Sequence, residues 1–255
     1  MNLNQTKAII TGGASGLGLA CARKIVAAGG QVTLFDINPE SGAAAVAELG
    51  NNARFLPVDV SDEAAVAKAV EEVATASGGL NVAINCAGVL SPGRVLGREG
   101  PMPLARFSQA VTVNLIGSFN VAKAAANTMQ NNPPDDDGQR GVIINTASIA
   151  AFEGQIGQSA YAASKAGIVG MTLPMARELA RFGIRVMTIA PGVFLTPMVA
   201  GLPEEIKDAL GASVPFPSRL GKPAEFAETA AHIIENHYLN GSVIRLDGAI
   251  RLAPK

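Results

Sequence analysis

Tyr161 and Lys165, four residues apart, with Ser148 thirteen residues upstream, are the side chains in this sequence best suited to moving a proton. If their segment is helical, the tyrosine and the lysine share one face. The alanines and serine between them and the apolar run Ile168 to Met171 favour a helix. A phenol titrates near 10 and is a poor base at neutral pH. An ammonium held about 5 Å away, at an effective dielectric of about 20, favours the phenolate by roughly 3 kcal/mol, or about 2 pKa units. That predicts a Tyr161 able to trade a proton with an alcohol or a carbonyl. The spacing alone is common on surface helices, so its meaning depends on what surrounds it.

The surroundings read as one large α/β domain. The chain has 255 residues, 48% of them hydrophobic and 16% charged, enough for a substantial core and an apolar surface that partner subunits would cover. β-type runs at Lys7–Thr11, Gln31–Asp36, Arg54–Val58, Asn81–Asn85, Gly141–Ala147, Arg185–Ala190 and Ser242–Leu246 alternate with alanine-rich stretches. Those stretches predict helices near 17–28, 40–49, 62–76, 105–130, 159–181 and 223–236. Such alternation implies a parallel sheet with helices on both faces. Val142-Ile143-Ile144 is apolar without alternation, as a strand buried on both faces requires.

A net charge of −1 gives no electrostatic footing for nucleic acid or an anionic membrane. No run approaches the about 18 apolar residues of a membrane span. The N-terminus reads as a first strand, not a signal peptide. Cys21 and Cys86 have no metal-ligand spacing and make no disulfide framework. No metal is expected. A reducing, cytoplasmic setting is expected, with the mitochondrial matrix also open to it. The Asn131–Gly138 segment, with Pro-Pro-Asp-Asp-Asp, reads as a solvated turn, and His232 and His237 as surface or packing residues.

Directly after the first strand, Thr11-Gly12-Gly13-Ala14-Ser15-Gly16-Leu17-Gly18 opens a helix. Glycines at such a turn let the backbone approach a pyrophosphate, and the helix N-terminus favours its charge. Asp36 ends the second strand eighteen residues after Gly18, where a carboxylate can bind both ribose hydroxyls of an adenosine. A 2′-phosphate would meet that carboxylate, and no arginine or lysine lies beside it, so NAD(H) is expected over NADP(H). Asp59-Val60 and Asn85-Cys86-Ala87-Gly88 end the third and fourth strands, at the sheet edge where such folds bind ligands. Cys86 reads as a small packed residue beside the cofactor.

Taken in order, the glycine loop, Asp36, the Asn-Cys-Ala-Gly turn, Asn114, Ser148 and Tyr161-x-x-x-Lys165 resemble the short-chain dehydrogenase/reductase family over nearly the whole chain. A closer likeness is to the branch that oxidises 3-hydroxyacyl-CoA thioesters and hydroxysteroids. It is carried by Gly141–Ser148, Phe152–Gln158, Ile168–Pro174, Val214–Gly221 and Val243–Arg251. The resemblance implies a single Rossmann-like domain with a doubly wound, seven-stranded parallel sheet, usually in a homotetramer. It makes Tyr161 the general acid/base and Ser148 the group that steadies the substrate oxygen. Lys165 would depress the tyrosine pKa and hold the nicotinamide ribose. Asn114 would hold a water linking Lys165 to solvent. Pro191, Gly192, Phe194 and Thr196 match the segment that touches the nicotinamide. Gly12, Ser15, Gly16, Leu17, Gly18, Asp59, Val60, Cys86, Ala87 and Gly88 match cofactor positions, and Gln155 matches a substrate-side glutamine.

Two loops would choose the substrate. Residues 191–221 carry five prolines around an apolar stretch and a short amphipathic helix from Glu204 to Leu210, which suits a lid. The Val89–Leu104 loop departs most from that branch and carries Arg94 and Arg98, candidates for CoA phosphates beside the reading of plain solvated charges. The leading expectation is NAD-dependent oxidation of short or branched 3-hydroxyacyl-CoA. Oxidation of a steroid or other secondary alcohol, 3-oxoacyl-carrier-protein reduction, and a scaffold role in an RNA-processing complex are the alternatives.

Overall fold

The computed structural model describes residues 1–98 and 100–254. All seven expected strands form, with bounds within one residue of expectation, and they lie in one parallel sheet. β1 (Lys7–Thr11), β2 (Gln31–Asp36), β3 (Ala53–Pro57) and β4 (Val82–Asn85) make up its first half. The antiparallel pair β5 (Leu96–Gly97) and β6 (Gly100–Pro101) stands outside it. β7 (Gly141–Thr146), β8 (Ile184–Pro191) and β9 (Val243–Leu246) complete the sheet in the order β3-β2-β1-β4-β7-β8-β9. The order reverses between β1 and β4, which opens a crevice at the carboxyl ends of those strands.

Both faces of the central strands β1, β4, β7 and β8 are dry, which explains the strands that do not alternate. Ile10, Leu34, Ile84, Ile144 and Met187 point to one side, against α1 (Gly16–Ala27) and α9 (Pro223–Glu235). Their neighbours Ile9, Phe35, Ala83, Ile143 and Val186 point to the other, against α3 (Glu63–Ser77), α5 (Gly117–Met129) and α6 (Ser159–Leu179). Helix ends follow local chemistry. Asn38 caps α2 (Pro39–Leu49) by accepting from Ser41 N at 3.0 Å, and Asp62 caps α3 by accepting from Ala65 N at 3.0 Å. α6 gives way to a tighter turn at 180–182 that stops at Gly183, whose φ is +69°. A side chain there would strike the Gly138 carbonyl at 2.2 Å.

The helix expected over 105–130 forms without a break, but not as a uniform α-helix. α4 (Leu104–Ala110) and α5 are joined by a widened π-type segment, Val111–Ile116. The extra residue in that turn carries Asn114 to a fully buried position, and Ser118 Oγ donates back to the Asn114 carbonyl at 2.7 Å. Two short helices, α7 (Pro197–Ala200) and α8 (Glu204–Ala212), follow β8. No described helix is long and apolar enough to cross a membrane.

Candidate active site

The glycine loop joins β1 to α1 with almost no spare room. Gly12 (φ +60°) lies so close to the β4 turn that a Cβ would sit 2.9 Å from Ala87 N, and one on Gly18 would meet Gly12 O at 2.4 Å. Thr11 ties the two turns together. Its Oγ1 accepts from both Cys86 N and Ala87 N at 3.1 Å. Ser15 precedes α1 in extended backbone and Leu17 packs against the core edge, so the first amides of the helix stay free for an anion. Asp36, at the end of β2, accepts from Ala14 N at 3.3 Å and Asn38 N at 3.2 Å. Its carboxylate is thereby fixed against the loop. Next along the edge, Asp59 accepts from Ser61, and Val60 is buried, its carbonyl taking a bond from Asn120 Nδ2 at 3.1 Å.

β8 brings the other half. Gly192 N donates to Leu246 O at 2.9 Å, and a side chain on Gly192 would meet the Asp247 backbone at 2.9 Å. Thr196 stands over the glycine loop, its Cβ and Cγ2 3.6 Å from where a Gly16 side chain would begin. Phe194 lies between these two in the chain. Its ring is buried edge-on to Phe226 and fills the space beside Gly221, so only its backbone is left to face a cofactor. Phe194 is a core residue because the Val193–Leu195 strand segment must seal against Gly221, with which it exchanges backbone bonds.

Ser148, just beyond β7, is buried, and its Oγ accepts from Ala150 N at 3.1 Å. Tyr161 and Lys165 project from the first turns of α6. Lys165 is buried and donates from Nζ to Thr146 O at 2.8 Å, 5.8 Å from the centre of the Tyr161 ring. Burial lowers its pKa to about 8, with Cys86 opposing the shift. Tyr161 moves the other way. Burial pushes its phenol above the ordinary value, partly offset by a hydrogen bond with Ser148. The expected depression of Tyr161 by Lys165 is therefore corrected: the helical spacing is as expected, but the ammonium is turned to a carbonyl, and desolvation dominates the phenol.

Asn114 sits inside the same cluster. Its Oδ1 accepts from Val89 N at 2.7 Å, and its Nδ2 donates to Val89 O and Ser164 Oγ, each at 2.9 Å. Ser164 Oγ donates in turn to Tyr161 O at 2.7 Å. Gly88 lies between Asn114 Oδ1 and Lys165 Nζ, 3.1 and 3.6 Å from where its Cβ would be. Gln155 is held by other partners: its Nε2 donates to Ala253 O at 3.0 Å, and its Oε1 accepts from Gln158 at 3.4 Å. With Arg94, Leu96 and Gln158 it lines a cavity of about 470 Å³. Arg98 is exposed between β5 and β6, away from that lining.

Sequence spacing gave no sign of three features here. Cys21 and Cys86 meet beneath the glycine loop, both as free thiols, and the contact with Cys86 and burial push the Cys21 thiol up. Thr146 supplies the carbonyl for Lys165. Residues 247–254 pack onto the segment after Ser148. Among the described residues, no group of three His, Cys, Asp or Glu side chains could hold a metal ion. His232 pairs with Asn236 and His237 with Asp137, neither in contact with these residues.

The chain can be set beside known proteins. A family model described as short chain dehydrogenase matches residues 6–207. The human 3-hydroxyacyl-CoA dehydrogenase type-2 is 54% identical over 249 residues, covering 97% of this chain and 95% of its own. Its Bos taurus counterpart is 53% identical with the same coverage. The crystal structure of a 3-hydroxyacyl-CoA dehydrogenase type-2 from Mycobacterium avium matches with a TM-score of 0.92 and 43% identity, covering 97% of this chain and 96% of that one.

Proposed function

This chain belongs to the short-chain dehydrogenase family, and on that premise we propose that it oxidises the secondary hydroxyl of short or branched 3-hydroxyacyl-CoA thioesters with NAD. The observation that carries the reading is the convergence of Ser148, Tyr161 and Lys165 on the sheet edge that also carries the glycine loop and Asp36. The relatives that share the whole chain act, by name, on 3-hydroxyacyl-CoA.

The cofactor is a nicotinamide dinucleotide, and our choice of NAD rests on Asp36. Its carboxylate is aimed by two backbone amides and has no arginine or lysine among its bonded partners. The tight glycine contacts, the free amides at the start of α1 and this carboxylate fit a dinucleotide. Gly12, Ser15, Gly16, Leu17, Gly18 and Asp36 would hold its adenosine half, with Asp59, Val60, Cys86, Ala87 and Gly88 alongside. Pro191, Gly192, Thr196, Tyr161, Lys165 and the Phe194 backbone would hold the nicotinamide half. When bound, it supplies the hydride acceptor or donor.

The chain's own part is proton handling and orientation. Ser148 donates to the substrate oxygen and steadies its charge. Tyr161 takes the hydroxyl proton in oxidation and returns it in reduction. A phenol pushed up by burial is ready at neutral pH as the acid, so oxidation gains as pH rises. Asn114 keeps the Tyr161–Ser164 turn and the Gly88–Val89 backbone in register. Residues 191–221 act as a lid, with half-exposed Leu195, Leu202 and Ile206 available to an apolar acyl group. Exposed Leu104, Ile116 and Phe119 on α4 to α5 support a homotetramer, and we place the protein in the cytoplasm.

The test is a panel assayed with NAD+ and NADP+: 3-hydroxybutyryl-CoA, 2-methyl-3-hydroxybutyryl-CoA and a 17β-hydroxysteroid, followed by formation of the reduced cofactor. Fastest turnover of a CoA thioester with NAD+ is expected. A steroid as the best substrate, or NADP+ as the better cofactor, would overturn the corresponding half of the proposal.

A further inference from the structure

Past β9 the chain turns back across the mouth of the site, and four charged side chains pin it there. Arg245 donates from Nη1 and Nη2 to the two Glu153 oxygens at 2.7 and 2.9 Å, and from Nε to Asp247 Oδ2 at 2.8 Å. Arg251 donates to the same Asp247 oxygen at 3.0 Å. The Arg245 guanidinium also lies 5.0 Å above the Phe152 ring. Asp247 is 8% exposed and Arg245 and Glu153 about a quarter, so this is a partly dry, forked pair with a defined direction. Ala249, at φ +67°, completes the turn, its amide donating to Asp247 Oδ1 at 2.9 Å.

The pinned segment touches three parts of the site. Ala253 O accepts from Gln155 Nε2, and Pro254 O accepts from Ile156 N, each at 3.0 Å. Asp247 backs onto Gly192 at the end of β8. Gly248 O accepts from Phe216 N on the returning arm of the 191–221 loop at 3.3 Å, while Ile250 packs with Ile149 and Val214. With Ala253 on one end of its amide and Gln158 on the other, Gln155 keeps one N–H and one lone pair free in a fixed orientation beside the cavity.

We propose that residues 247–254 are a positioning strap: Glu153, Arg245 and Asp247 hold it so that the Ala253 carbonyl orients Gln155 toward substrate. Glu153 and Arg245 are positioning residues that act through Gln155 and leave the Tyr161 chemistry alone. The proposal rests on the dehydrogenase reading above, with Gln155 on its substrate side.

The test measures kcat, KM and NADH affinity for wild type, Glu153→Gln, Gln155→Ala and their double variant. It uses whichever alcohol of the panel the wild type turns over fastest. Failure of the acyl-CoA reading then shows in the choice of substrate, and failure of the strap shows in the variants. Glu153→Gln is expected to raise KM about tenfold, as loss of one oriented hydrogen bond does, with kcat and NADH affinity within about twofold. The double variant is expected to match Gln155→Ala alone, because both changes break one path. Should Glu153→Gln fail to fold, Arg251→Gln, at the exposed end of the network, is expected to raise KM about twofold with kcat unchanged. An unchanged KM in the folded variant, a multiplicative double variant, or a fall in kcat alone would overturn the strap. Wild type inactive on every alcohol would overturn both readings.

Discussion

Replacing Lys165 by methionine is expected to make the protein more stable at pH 7 while removing most of its activity. Burial lowers the Lys165 pKa from 10.5 to about 8. At about 1.36 kcal/mol per unit, holding that ammonium in the fold costs about 3 kcal/mol at pH 7. Methionine removes the charge and keeps a similar apolar stem. It also leaves Thr146 O without its donor, which costs about 1–2 kcal/mol. The balance is a gain of about 1–2 kcal/mol, or a rise in Tm of about 2–8 °C for a chain of this size.

The sign depends on pH in a way no generic packing effect imitates. Below about pH 8 the folded and unfolded chains both hold the proton, and the cost is present in full. Between about 8 and 10.5 the unfolded chain binds more protons than the folded one, so wild-type stability climbs with pH relative to the variant. Near pH 10 the remaining cost is about 1 kcal/mol, by the same linkage, and the advantage of methionine vanishes or reverses. Thermal melts of both proteins without cofactor at pH 7 to 10 read this directly, and their difference cancels the other titrating groups. A methionine variant that melts below wild type at pH 7, or a gap that stays constant with pH, would refute the buried ammonium.

Tyr161→Phe removes the only phenol in the cluster and is expected to lower kcat by about a thousandfold or more. NADH binding, followed by its fluorescence, should persist; undiminished turnover would remove Tyr161 from the mechanism. Asp36→Ala is expected to erode the preference for NAD(H) over NADP(H) by about tenfold to a hundredfold, as loss of charge-assisted bonds to the ribose does. A wild type that already prefers NADPH would overturn the Asp36 argument before the variant is made.

The sheet was legible because β1, β4 and β7 are buried on both faces, which leaves unbroken apolar runs in the sequence. The glycine loop was legible because the close approach of Gly12 and Gly18 to neighbouring backbone admits no side chain. The widening at 111–116 was not, because a π-type turn keeps an ordinary helical pattern on either side and only the placement of Asn114 marks it. The burial of the Phe194 ring was not legible, because a motif position specifies where the backbone goes and not which way the ring turns. The pairing of β5 with β6 lay within a Gly- and Pro-rich stretch that reads as plain loop. Contacts across long separations, Arg245 with Glu153 and Cys21 with Cys86, carry no local signal at all.

The largest departure concerns the pair that first drew notice, and it can be tested on the chain itself. A tyrosine and lysine at helical spacing predict a phenol pulled down by a neighbouring charge. The fold buries both, and burial opposes ionisation of each: Lys165 falls to about 8 and Tyr161 rises. A phenol raised above its ordinary value begins to ionise only where the lysine is already neutral, so the lysine has no charge with which to help. Phenolate absorbance of the cofactor-free protein, taken as wild type minus Tyr161→Phe to subtract Tyr238, isolates this titration, since the chain has 2 tyrosines. Ionisation of Tyr161 is expected above its ordinary value of about 10, and Lys165→Met, measured against its own Tyr161→Phe double variant, is expected to leave it unchanged. If Tyr161 instead ionises well below 10 and loss of Lys165 raises it by about 2 units, charge proximity governs the site and desolvation does not. The helical spacing would then have been the better guide than the direction of the Lys165–Thr146 hydrogen bond.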